Sequence, residues 1–98
     1  MEASIAIQVL PKAETQTEMI RIVDEVIAYI ASTGLNYQVG AFETSIEGGY
    51  DELMMIIKNC QLVAIKAGAS SVSAYVKIVY KPEGDVLGIE EKTKKHEH

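Results

Sequence analysis

The sequence predicts an α+β sandwich with elements in the order β-α-β-β-α-β. Three observations point to it. Two long segments carry apolar residues three and four apart, and four shorter ones alternate apolar with polar side chains. Each helical segment lies between strand-like ones. Gly or Pro stands at the junctions, notably Pro11, Gly34, the Gly48-Gly49 pair and Gly68.

The first strand is "SIAIQVLP", with Ile5, Ile7 and Val9 set against Ala6, Gln8 and Leu10; Pro11 is expected to end it. A helix follows in "TQTEMIRIVDEVIAYIASTG". Met19, Ile22, Val23, Val26, Ile27 and Ile30 form one face. Thr15 with Glu18 fits a capping box, and Gly34 fits a helix stop. "NYQVG" and "ETSIEG" read as two short strands joined by a tight turn near Ala41 and Phe42. Leu53, Ile56, Ile57, Cys60 and Ala64 mark a second helix that Gly68 stops. "SVSAYVKIVY" is the last strand. "EGDVLGIEEKTKKHEH", residues 83–98, reads as an appendage with a short helix at "IEEKTKK", leaving a core of about 3–82 in one domain spanning 1–98.

This order is the split βαβ pattern of ferredoxin-like domains. Right-handed crossovers place strands one and three in the centre of a four-stranded antiparallel sheet, with both helices on one face. Alternation assigns Ile5, Ile7, Val9, Ile46, Val72, Ala74, Val76 and Ile78 to the covered face. The open face collects Gln8, Glu43, Ser45, Glu47, Tyr75 and Lys77, with Ala6, Leu10 and Val79 among them. A solvated face is the plain reading, but that mixture also suits a subunit interface. Met55 and Leu62, off the main stripe of the second helix, hint equally at a partner.

Composition narrows the function. The apolar share is 48% and the charged share 23%, ordinary for a soluble globular protein. No apolar run approaches the ~20 residues that span a bilayer. "MEASIAIQVLPK" lacks the basic start of a signal peptide, so a cytoplasmic location is expected. The net charge is −5 and Arg21 is the only arginine, which argues against nucleic acid and polyanions as partners, although Tyr75 and Tyr80 resemble RNA-stacking aromatics. Both histidines, His96 and His98, stand in the terminal "KKHEH", so the body has no imidazole for a Ser-His or Cys-His dyad, and the tail pair is a weak metal signal. Cys60 is the only cysteine; it excludes an internal disulfide and fits the buried helix stripe as an inert thiol.

The stretch "FETSIEGGYDELMMIIKNC" holds the candidate chemistry. Glu43 and Glu47 lie four apart on a strand, roughly 13 Å by strand rise, too far for a shared-proton dyad. "EGGYDE" lacks the lysine and Ser/Thr of a phosphate loop, and Asp51 with Glu52 would repel a phosphate while favouring the helix dipole. Gly48 and Gly49 are expected to permit a sharp turn. Met54 and Met55 read as gap-fillers. No catalytic residue and no metal ligand set emerges.

Over nearly its full length the chain resembles the small thiamine-binding protein family. "IAIQVLP", "YQVGAFETSIEGGYDELM", "VKIVY" and "IEEKTKK" carry the resemblance, most specifically Thr44…Glu47-Gly48 followed by "DELM". One departure is Ala41, where relatives often carry proline after the glycine. The resemblance implies a non-enzymatic binder of thiamine or its hydroxymethylpyrimidine part, needing no cofactor and assembled as dimers or tetramers. On that reading Glu43 or Glu47 accepts from the pyrimidine amine, Gln8 or Thr44 donates and accepts, and Phe42 stacks on a ring. The near absence of arginine favours unphosphorylated thiamine. Thr44 alternates towards the helices and the glutamates do not, so one pocket needs a bulge or a site at the strand end. Two alternatives stand beside this reading: a ligand-blind oligomeric scaffold or regulatory domain, and a hydrolase of acylphosphatase type. The latter needs an arginine cradle near the first strand, and Arg21 sits mid-helix.

Overall fold

Alternating apolar residues build β1 (Ala3–Lys12), in which Ile5 and Ile7 are buried. The structure, a computed structural model, describes residues 1–96. β1 runs through Pro11 rather than stopping there. It pairs with β3 (Thr44–Gly48) only from Ala3 to Ile7, but with β4 (Ser71–Tyr80) from Ala3 to Lys12. The Lys12 carbonyl accepts from the Ser70 N–H at 3.1 Å, so Pro11 faces the opposite flank, where β3 no longer pairs. Its missing N–H leaves no ladder bond unmade there.

α1 (Gln16–Ser32) starts as expected: the Thr15 hydroxyl accepts from the Glu18 N–H at 3.1 Å. The second half of the capping box does not form. The Glu18 carboxylate instead accepts from Arg21 at 2.9 and 3.2 Å, which holds its carboxyl below the usual carboxylate range. Arg21 also donates to the Ala67 carbonyl at 2.6 Å, tying α1 to the end of α2 (Tyr50–Lys66). The only arginine is thus spent on architecture. Gly34, at φ +77°, ends α1, and Gly68, at φ +120°, follows the end of α2, backbone that favours glycine.

β2 (Asn36–Val39) and β3 form a hairpin whose loop, residues 40–43, is closed by the Gly40 N–H donating to the Glu43 carbonyl at 2.9 Å. The sheet is antiparallel in the order β2-β3-β1-β4, the ferredoxin-like topology. Ile22, Val26 and Ile30 of α1 and Leu53, Ile56 and Cys60 of α2 pack with Ile5, Ile7 and Ile46 into one core. Each such aliphatic side chain contributes about 1.5–3 kcal/mol by burial.

Ile78 pairs with Ile5 and so shares its covered face as expected, yet it is 46% exposed, because β4 is an edge strand with no neighbour on its outer flank. The chain passes from β3 to α2 within the Gly48-Gly49 pair without positive φ: Gly49 caps α2 at φ −75°, and a Cβ on Gly48 would lie 3.0 Å from the Leu35 side chain. One expectation is corrected. Met55 fills no gap; it is exposed, whereas Met54 packs against the core.

The C-terminal segment folds back onto the sheet face expected to be open. The Val86 N–H donates to the Met1 carbonyl at 3.2 Å, and the Ile89 N–H donates to the Glu47 carboxylate at 2.8 Å. Val86 and Ile89 are buried, and Ser4 beneath them is buried too. The expected short helix is α3 (Ile89–Thr93), followed by a 3-10 turn at Lys94–His96. His98 lies outside the described residues.

Candidate functional site

Where β3 stops pairing with β1 at Ile7, the 40–43 loop leaves a gap above α1. The result is a cleft of about 110 Å³. Its floor is aliphatic, with Val9 of β1, Val23, Val26 and Ile27 of α1, and Val39 of β2. Gln8, Phe42, Glu43 and Thr44 line it as well, and Glu43 is the only ionisable residue among its lining.

Four of the five residues singled out in the sequence therefore meet in one place. Thr44 is buried at 7% exposure on the covered face, as alternation requires. Glu43 immediately precedes the strand, so it lines the cleft at the strand end beside Thr44. Phe42, at the loop tip, is 82% exposed. The Glu43 carboxylate is directed to the open sheet face, as alternation predicts, accepting from Lys77 of β4 at 3.4 Å.

Glu47 does not join them. It lies at the far end of β3, where its two oxygens accept from Asn36 Nδ2 at 2.6 Å and from the Ile89 N–H at 2.8 Å. Val23 and Ile27, the half-buried flank of the α1 stripe, are lining residues that sequence reasoning assigned to the core alone. Their signal was an apolar stripe wider than its fully buried line Ile22, Val26 and Ile30.

The remaining candidates separate. Cys60 is fully buried, and desolvation pushes its thiol up to about 11, so it is a packed and unreactive group. Tyr75 is exposed on the sheet, whereas Tyr80 stacks on Tyr50 at 4.2 Å between ring centroids. The two tyrosines form no shared stacking platform. Among the described residues no group of three or more His, Cys, Asp or Glu side chains gathers around a metal position, and no helix is long and apolar enough to cross a membrane.

Fold and cleft together define the class: a ferredoxin-like α+β domain with an aliphatic cleft at the tip of its hairpin, lined also by Gln8, Phe42, Glu43 and Thr44. Residues 5–97 match the model of the thiamine-binding protein family, and the chain belongs to that family. A UPF0045 protein of Clostridium perfringens is 42% identical over 81 residues, covering 83% of this chain and 84% of that one. The solved structure of a domain of unknown function, DUF77, from Bacillus cereus is 34% identical with a TM-score of 0.89, covering 99% of this chain and 91% of that one. A Thermotoga maritima structure ascribed to thiamine biosynthesis or salvage is 29% identical with a TM-score of 0.85, covering 99% of this chain and all of that one.

Proposed function

We propose that this chain is a non-enzymatic binder of thiamine or its hydroxymethylpyrimidine part, acting as a homo-oligomer, with the ligand in the cleft under the 40–43 loop. The observation that carries the reading is the convergence of Gln8, Phe42, Glu43 and Thr44 over an aliphatic floor. An aminopyrimidine presents amine donors and ring-nitrogen acceptors along one edge and apolar faces on either side. Glu43 accepts from the amine, Thr44 and Gln8 complete the polar edge, and Phe42 closes over a ring or the thiazolium cation. No basic residue lines the cleft, so the diphosphate ester gains nothing there.

Family membership supports the ligand class, and the lack of a nucleophile–base pair in the cleft supports binding without turnover. Calorimetry with thiamine, hydroxymethylpyrimidine and thiamine diphosphate tests the reading. We expect thiamine to bind more tightly than its diphosphate, and Glu43→Gln to weaken thiamine by about 1.5–3 kcal/mol, more than it weakens the neutral pyrimidine. Phe42→Ala should weaken both. Absence of heat with all three ligands would favour the alternative, a ligand-blind oligomeric scaffold. The exposed apolar residues Met55, Leu62 and Ile65 of α2 are the observation behind that alternative.

A further inference from the structure

On the other face of the sheet, the docked C-terminal segment leaves two adjoining hollows of about 250 and 260 Å³. They share Ser4, Glu43, Ser45 and Lys92; Gln38 lines the first and Lys77 the second. We propose that this groove binds a small oxyanion, a phosphate or carboxylate group carried by a metabolite. The groove lies on the opposite sheet face from the thiamine cleft, with Glu43 lining both, and the proposal does not depend on that reading.

The balance of donors and charges carries the proposal. Lys77 and Lys92 face one carboxylate, Glu43, so the lining carries a charge of about +1 in a chain whose total is −5. Glu43 is already an acceptor for Lys77 at 3.4 Å, whereas Lys92 makes no ion pair among the described residues. The donors exceed the acceptors that remain. Ser4, at 6% exposure, is a buried hydroxyl residue that lines the groove, and Ser45, opposite Ala6 on the neighbouring strand, lines it too. Thr93 spends its proton on the Ile89 carbonyl at 2.9 Å and so is no donor here. Two serine hydroxyls and the Lys92 ammonium shared by both hollows, with the Gln38 amide on one side and the Lys77 ammonium on the other, suit an acceptor with several oxygens.

The position of Lys92 is held rather than free. Ile89, one turn earlier, is buried at 8% exposure and bonded to Glu47, which seats α3 against the sheet. Glu47 therefore acts on this groove through the helix that it anchors.

The test is a titration of the full ¹⁵N-labelled chain with inorganic phosphate, and separately with acetate, at ionic strength matched with sodium chloride. Saturable amide shifts are expected at Ser4, Ser45 and Lys92, and not along Val23 to Ile27. Lys92→Gln, a surface change, should leave the melting temperature unaltered and weaken binding about tenfold or more. Ser4→Ala should weaken it in the same direction. Tighter phosphate than acetate identifies phosphorylated metabolites as the class, and the reverse order identifies carboxylates. Phe42→Ala should leave the phosphate titration unchanged, so failure of the thiamine reading does not touch this one. Shifts that chloride reproduces, or a titration that Lys92→Gln leaves as it was, would overturn the proposal.

Discussion

Glu43 and Glu47 are four residues apart, yet one backbone step separates their roles. Glu43 stands just outside β3, at the joint between cleft and open face, while Glu47 stands inside the strand and holds Asn36 and the Ile89 N–H. Glu47→Ala removes two charge-assisted bonds, so it should lower stability by about 1–3 kcal/mol while leaving thiamine affinity within about twofold. Thermal melts and calorimetry on this variant check both halves; an unchanged melt would show that the tail contact contributes nothing. Cys60 gives a pH prediction. Burial raises its thiol to about 11 in the folded chain, above its unfolded value near ~8.5. Its contribution to stability is therefore complete below about pH 8.5 and is lost as pH rises through 11. Cys60→Ala should flatten the fall in stability across that window. At pH 8, iodoacetamide should label the native chain far more slowly than the denatured one.

Among the elements, α2 has the least obvious start. Its cap residue is Gly49, which offers no side chain, and the Tyr50 N–H is instead satisfied by Glu2 Oε1 at 2.9 Å, from 48 positions away. Asp51 and Glu52 in its first turn add the favourable charge that the sequence displays. Glu2→Ala should destabilise the fold by about 0.5–2 kcal/mol in urea denaturation, the usual worth of a cap. An unchanged midpoint would show that water satisfies Tyr50 as well. The hairpin loop has a comparable constraint. A Cβ on Gly40 would meet the Glu43 carbonyl oxygen at 2.8 Å, so the close turn that carries Phe42 depends on glycine at that position.

On the scale of the whole molecule, two surfaces gather several exposed apolar residues each. Leu10 and Tyr75 lie exposed on the open sheet face, and Met55, Leu62 and Ile65 lie on the outer side of α2. Two-fold pairing through either surface buries such a patch against itself. We expect light scattering at micromolar concentration to give a dimer or tetramer mass. Tyr75→Lys and Leu62→Lys, made separately, should reveal which surface is used by dropping the mass. A monomer mass for the unaltered chain would refute self-association.

The element order, the covered face and the helix stops were all legible in the sequence. They rest on local periodicity and on single residues such as Thr15, Gly34 and Gly68, whose preferences act over one turn of chain. Of the residues singled out, Gln8, Phe42, Glu43 and Thr44 line the cleft, Glu47 does not, and Val23 and Ile27 join them unannounced. That the cleft opens beside Glu43 and Thr44 depends on where β3 stops pairing with β1 and β2. The same holds for Pro11, which β1 accommodates only because β3 stops short of it. Glu2 under α2, Arg21 on Ala67, and Glu47 on Ile89 link positions 48, 46 and 42 apart. No periodicity encodes such contacts, because they exist only once the sheet has brought distant segments together. Tertiary structure alone decided them.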